Sequence, residues 1–197
     1  MSTPSPAPRP VAPSESDSRS LLAPPGVIIL PKAVVPREIE LKGEITIGSR
    51  TVLHPSSKIL AINGPIVIGE GNIIEEKTEI RNNFPPDKDG TKKTLYIGNR
   101  NLFETYAVIE GNVGNNNTVS SKARIGHRTT LSTGCMIGCM CVLDSDETLP
   151  PDTVITGENQ NRRIAETPQA PPFIDEHLEH LIRQLPNYHY ILKSSAG

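Results

Sequence analysis

Aliphatic residues recur at every sixth position through most of this chain. The first run is Ile29, Val35, Leu41, Ile47, Leu53 and Ile59. After a nine-residue step the count resumes at Ile68, Ile74 and Ile80, and then again at Ile97, Phe103 and Ile109. The last run is Val113, Val119, Ile125, Leu131, Ile137, Leu143, Leu149 and Ile155. Four positions after many of these sits a short residue, such as Thr51, Ser57, Thr78, Ala107, Ala123, Cys135, Cys141 or Thr153. Glycine often stands one position after, as at Gly48, Gly69, Gly98, Gly114, Gly126 and Gly138. A period of six is neither the 3.6 of a helix nor a simple two-residue alternation. It fits a short strand and a turn, repeated, with one aliphatic side chain per strand pointing inward. Three such units close a triangular coil, and stacked coils make a parallel β-solenoid. The recurrent glycines and asparagines are expected to supply left-handed turn conformations.

Grouping the hexads in threes sorts the ladder into faces. Face one is Ile29, Ile47, Ile68, Ile97, Val113, Leu131 and Leu149. Face two is Val35, Leu53, Ile74, Phe103, Val119, Ile137 and Ile155, and face three is Leu41, Ile59, Ile80, Ile109, Ile125 and Leu143. The expected fold is therefore an all-β solenoid of about seven coils over residues 27–158. A Gly-x-x-Asn motif recurs on face one as Gly69–Asn72, Gly98–Asn101 and Gly114–Asn117. Every departure from six falls between face three and face one: Ile59 to Ile68, Ile80 to Ile97, and Ile109 to Val113. One corner thus takes all the irregularity. Its largest extrusion, Arg81–Tyr96, holds Pro85-Pro86-Asp87-Lys88-Asp89-Gly90, which is loop chemistry. Insertions on one edge of a solenoid mark either a working surface or tolerated drift.

The ends read differently. Residues 1–26 carry seven prolines among Ser, Ala and Arg and are expected to be a disordered tail, with a Pro-rich docking peptide as the alternative. Residues 159–172 read as a linker containing Pro168, Pro171 and Pro172. In 173–192 the residues Ile174, Leu178, Leu181, Ile182 and Leu185 recur at helical spacing over Phe173–Leu185, and Pro186 closes the element. One amphipathic helix needs a surface to pack on. The prism itself is the simpler choice and a partner the other. Residues 193–197 read as a disordered end.

Composition narrows the class. The chain has 197 residues, a net charge of −2, three cysteines, no tryptophan and only three phenylalanines. No basic patch marks a nucleic-acid or anionic-membrane binder, no apolar run is long enough to span a bilayer, and no signal pattern opens the chain. Three cysteines suit a reducing, cytoplasmic setting better than a disulfide framework.

Hexapeptide solenoids suggest two enzyme classes by analogy, acyltransferases and zinc enzymes of the gamma carbonic anhydrase type. The zinc chemistry needs three converging ligands, and the gamma enzymes use histidines. The coils contain only His54 and His127, and one coil either way from His127 lie Gly111 and Ser145. Five positions on or back from it stand Ser132 and Lys122. The triad is not written in the chain. His54 or His127 could act as the general base of an acyltransferase, but neither sits in a supporting motif. His177 and His180 share a helix face at a spacing that could hold a metal, with no third ligand fixed near them; His189 follows the helix. Cys135, Cys139 and Cys141 form a C-x3-C-x-C cluster, and two of the three occupy the short position of their hexads. Buried thiols there would pack as small hydrophobes, which is a simpler reading than zinc. The expectation is no catalytic residue, no cofactor and no metal. Ser5-Pro6 and Thr167-Pro168 are proline-directed dipeptides, and Thr167 is the candidate phosphorylation site.

Several runs resemble a known family. Gly64-Pro-Ile-Val-Ile-Gly-Glu-Gly-Asn-Ile-Ile-Glu-Glu, Ile97-Gly-Asn-Arg-Asn-Leu-Phe-Glu, Ser121-Lys-Ala-Arg-Ile-Gly, Thr133-Gly-Cys-Met-Ile-Gly and the tail run Leu185-Pro-Asn-Tyr-His are similar to the dynactin subunit 6 family over roughly residues 27–192. The resemblance implies a left-handed β-helix, a handedness that periodicity alone does not provide. It also implies a non-catalytic subunit of dynactin, the activator of the dynein motor on microtubules. The partners implied are the β-helical dynactin subunit 5, dynactin subunit 4 and an actin-related protein of the pointed-end assembly, which engages cargo and adaptors. A diverged gamma carbonic anhydrase-like enzyme or acyltransferase is the alternative.

Overall fold

In the computed structural model, residues 21–194 are described. What is expected of residues 1–20, Ser5 among them, and of 195–197 lies outside the described residues. The chain winds as a left-handed parallel β-solenoid of about seven coils followed by one helix. Nineteen strands of two to four residues precede the helix Ile174–Gln184.

The three-face register is the observed one. On face one Ile29 pairs with Ile47, Ile47 with Ile68 and Ile68 with Ile97. Single bridges carry the row through Val113 to Leu131, which pairs with Leu149. Face two runs from Leu53 through Ile74, Phe103, Val119 and Ile137 to Ile155. Face three runs from Leu41 through Ile59, Ile80, Ile109 and Ile125 to Leu143. These ladder residues form one continuous core along the prism axis, with Leu41 partly buried at its edge. A second inward row lies two positions earlier on face one. Val27, Ile45, Ile66 and Leu95 are all buried there, so the irregular corner of the first four coils is filled by larger aliphatics than the other two.

The turns work differently from the expectation. Gly48, Gly69, Gly98 and Gly114 do not have left-handed backbones; what they supply is room. A Cβ on Gly48 would stand 2.1 Å from the Gly69 carbonyl oxygen, and one on Gly98 would stand 2.4 Å from that of Gly114. The left-handed residue is instead the third after the ladder residue, and it is mostly not glycine: Lys32, Arg50, Ser56, Lys77, Arg100, Tyr106, Asn116, Lys122, Met140 and Asp152. None is β-branched, the class for which this conformation is most strained. All ten belong to the corners that follow faces one and two. The corner between face three and face one lacks the device, which frees its length to vary.

Buried asparagines pin the corner between faces one and two. Asn72, Asn101 and Asn117 are fully buried and stacked. The Asn101 Nδ2 donates to Asn72 Oδ1 (2.9 Å) and to the Gly114 carbonyl (2.9 Å). Asn117 repeats the pattern against Asn101 Oδ1 (3.0 Å) and the Ser132 carbonyl (2.9 Å). The row continues into Thr51 on one side and Cys135 on the other. Each amide satisfies turn groups of its neighbours, so the network is cooperative.

The helix lies on the outer side of face two. Ile174, Leu178 and Leu181 are buried with Val34, Val52 and Ile73, and Leu102, Ile182 and Leu185 flank them. Each fully covered aliphatic there contributes about 2 kcal/mol. Arg50 Nη2 bonds Glu179 (2.9 Å) and Arg100 Nη1 bonds Asp175 (2.5 Å), tying the helix to the asparagine corner. Phe173, expected to open the helix, precedes it in a left-handed conformation, and Leu185–Asn187 forms a final 3₁₀ turn.

Both ends of the prism are closed. Residues 21–26, assigned to the tail by composition, fold onto the first coil. Ala23 donates to the Lys193 carbonyl (2.8 Å), and Leu192 donates to that of Val35 (2.8 Å). Ala23 and Leu192 are buried in the core, so apolar contact overrides the local proline content. Lys193, counted with the disordered end, forms this bridge with Leu22. At the other end the expected linker 159–172 contains the strand Asn161–Ile164, which folds back antiparallel on Thr153–Thr156. On face one the N–H after the ladder residue donates to the next coil from Gly48, Gly69, Gly98 and Gly114, at 2.7–2.8 Å. In the last coil that position is Pro150, followed by Pro151, and proline has no N–H to offer.

Candidate functional site

The histidines singled out by sequence do not converge. His54 sits at the corner after face two, where its Nδ1 bonds Glu76 (2.9 Å) while its Nε2 is buried without a hydrogen-bond partner. Its only open nitrogen therefore faces protein rather than a groove. His127 is exposed on the irregular corner beside Arg128. His177 and His180 are exposed on the outer helix surface, and His189 lies 3.4 Å from Glu38. Among the described residues no three His, Cys, Asp or Glu side chains are grouped so as to hold a metal ion.

Cys135 and Cys141 are buried in the core, as their short hexad position implies, and Cys139 is exposed. Burial raises the thiol pKa of both buried cysteines, which keeps them protonated and unreactive. Thr167 is exposed, and its carbonyl accepts from Gln169 Nε2 (2.8 Å).

The irregular corner holds a charged cluster that spacing did not reveal. Glu110 is buried and receives Arg124 Nη2 (2.8 Å) and Asn83 Nδ2 (2.7 Å), with Arg81 Nε at 3.5 Å. Burial on its own would raise the carboxyl pKa. The bonds from Arg124 and Asn83 and the charges of Arg124 and Arg81 outweigh it, and the net shift is downward. The signal was a lone Glu in place of a turn residue at the one shortened step. The cluster anchors the base of the extruded loop. Asn82 Nδ2 also bonds the Pro65 and Lys93 carbonyls (2.8 and 2.7 Å), and Phe84 is buried. The 82–94 segment is thus a built wall standing beside face one.

The outer sides of the three faces differ in kind. Face two carries the helix. Face three bears rows of opposite charge, with Glu40 between Lys42 and Lys58 and Glu79 beside Arg81. Face one is left uncovered by the described residues: Ile28, Thr46, Val67 and Tyr96 stand in register across its first four coils, with Ile28 and Tyr96 more than half exposed. Asn112, Thr130 and Thr148 continue the row over the later coils. A groove of about 620 Å³ separates this half from the wall; Lys92, Lys93, His127 and Arg128 line it together with Asp87 and Asp146, so its charge is mixed. This arrangement offers contact area and charge.

No protein-family model matches the chain. Among curated proteins, dynactin subunit 6 of Xenopus tropicalis is 45% identical over 176 residues, covering 87% of each chain. Dynactin subunit 6 of Nematostella vectensis is 41% identical over 174 residues, covering 84% of this chain and 91% of the relative. Among solved structures, a hexapeptide transferase family protein from Anaplasma phagocytophilum superposes with a TM-score of 0.58 at 15% identity, over 82% of this chain and 92% of the other. That likeness establishes the solenoid fold and no activity. The sequence relatives go further: this chain belongs to the dynactin subunit 6 family and is a subunit of the dynactin type.

Proposed function

We propose that the chain is a non-catalytic structural subunit of the pointed-end assembly of dynactin, working in the cytoplasm and on the cytoskeleton in dynein-driven transport. Its partners on this reading are the β-helical dynactin subunit 5, dynactin subunit 4 and the pointed-end actin-related protein, through which cargo adaptors are engaged. The observation that carries the reading is the extended identity to dynactin subunit 6 proteins across nearly the whole described fold. The geometry supports it. A rigid prism with both ends closed and one flat face left uncovered by the described residues offers pre-organised contact area at little ordering cost. The two coil histidines favour this reading over the enzymatic one, since one is engaged with Glu76 and the other stands apart on the surface. The exposed Thr167 is the point at which phosphorylation would add charge beside the capping strand.

The test is affinity purification of the tagged full chain from cells, read by quantitative mass spectrometry, together with hydratase and acetyl-transfer assays on the pure protein. Stoichiometric recovery of subunit 5, subunit 4 and the actin-related protein is expected, with both assays at background. Turnover in either assay, or recovery of the chain without those partners, would sink the proposal.

A further inference from the structure

We infer that the later coils of face three form a docking site for an acidic amphipathic helix of a partner protein, lying along the prism axis. The inference stands apart from the partners proposed above. It concerns two rows in register across four coils. On the face itself stand Glu79, Val108, Arg124 and Val142. Two positions before each, on the corner shared with face two, stand Lys77, Tyr106, Lys122 and Met140, all left-handed. Past the ion pair of Glu79 and Arg81, apolar and basic coils alternate. Tyr106 goes with Val108, Lys122 with Arg124, and Met140 with Val142.

These side chains are larger and more exposed than the turn requires. Met140 is 70% exposed, Val142 49% and Tyr106 47%. Glycine, asparagine and aspartate adopt the left-handed backbone most readily, so Tyr106 and Met140 are not there for the turn. Methionine and aromatic residues are enriched at contact surfaces. Tyr106 is also held in place: Lys77 Nζ donates to its hydroxyl (2.8 Å) and lies 5.0 Å from the ring centroid.

Charge fixes the sign of the occupant. The carboxylates around the patch are engaged: Glu79 by Arg81, Glu104 by the Ser121 N–H and hydroxyl, Glu110 by Arg124, and Asp144 by Arg128. Arg124 nevertheless stays half exposed, and the exposed Lys122 makes no ion pair among the described residues. Spacing fixes the shape. The two apolar coils lie two steps apart, about 9.6 Å. A helix presents residues i and i+7 about 10.5 Å apart, with i+3 and i+4 between them over Lys122 and Arg124. An extended segment repeats at about 6.7 or 13 Å on one side and falls out of step.

Face two shows the same docking completed within the chain. There the left-handed Arg50 and Arg100 stand two positions before Val52 and Leu102. They bind Glu179 and Asp175 of a helix whose Ile174, Leu178 and Leu181 cover the apolar row. The partner helix for face three therefore carries apolar residues at i and i+7 and carboxylates at i+3 and i+4.

The experiment titrates the full chain into a fluorescent, lactam-bridged helical peptide with two leucines seven residues apart and glutamates at the two positions midway, read by anisotropy. Wild type and Glu176→Gln, a change on the outer helix surface, are expected to bind it alike, and more weakly as salt rises. Tyr106→Asn with Met140→Asn should weaken binding at least about 10-fold. Its melting temperature should be unchanged or higher, since asparagine suits the left-handed backbone better. Lys122→Glu should weaken binding about 3- to 10-fold, and a peptide with lysines in place of the glutamates should bind this variant better than wild type. A clear fall in melting for the asparagine pair would assign those side chains to the prism itself and overturn the inference. So would an absence of binding to wild type, or binding that these variants leave unchanged. Self-association of the chain that disappears with Met140→Asn would overturn the partner helix in favour of a second copy.

Discussion

Faces one and two are built from the same hexads, yet one is finished within the chain and the other is not. On face two the outward residues are Val34, Val52, Ile73 and Leu102, and the chain supplies a helix to cover them. On face one the equivalent residues are Ile28, Thr46, Val67 and Tyr96, and nothing in the described residues covers them. The core beneath both is equally well packed. What distinguishes them lies outside the ladder, in which outward row the chain's own apolar helix is ion-paired to meet. An uncovered apolar row on an otherwise covered prism is the kind of surface on which protein partners dock.

Substitutions separate the two faces by size of effect. The largest should come from the corner they share. Asn101→Ala strips acceptors from the Asn117 amide and side chain and a donor from the Gly114 carbonyl, at an expected cost of about 3–5 kcal/mol in chemical denaturation. Leu178→Ala should cost about 2–3 kcal/mol and raise amide exchange over Ile174–Gln184, while leaving the coils protected. A change that opened the coils as well would show that face two depends on its helix for folding.

Glu110→Gln, at the wall's base, should cost about 1–2 kcal/mol at neutral pH. Its folded pKa is lowered from the ordinary 4.5, so its contribution is fully present above about 4.5 and is lost as pH falls through the lower folded value. Acid titration of stability should therefore be shallower in the variant over that window. Smallest of all, Tyr96→Ala or Val67→Thr on face one should change the stability of the isolated chain by no more than about 0.5 kcal/mol. A loss as large as that of Leu178→Ala would mean that face one is finished after all, and the contrast would collapse.

Much of this was legible in the residues. The ladder from Ile29 to Ile155 defined every parallel strand pairing of the three faces, because a period of six admits one stacking once the insertions are confined to one corner. The helix was legible from Ile174, Leu178 and Leu181. Three features were not. The glycines after the ladder residues looked like turn formers, yet they are there for close approach to the next coil; spacing along one coil carries no information about the neighbour's carbonyl. The role of Glu110 was hidden because its partners Asn83 and Arg124 are 27 and 14 residues away and meet it only across the irregular corner. Residues 21–26 and 161–164 read as tail and linker by composition, but end coils need covers, and proximity in the fold outweighed local proline and polar content.

Pro150 has a consequence for size. A stack of identical coils has no intrinsic length, since each outer edge is a template for another strand. Replacing the donor of the last face-one step by proline, and folding Asn161–Ile164 back on the neighbouring sheet, turns a potentially endless fibre into a bar of set length. Such a bar can be counted once per assembly and can act as a spacer, because contacts along its side are bounded at both ends by the chain itself.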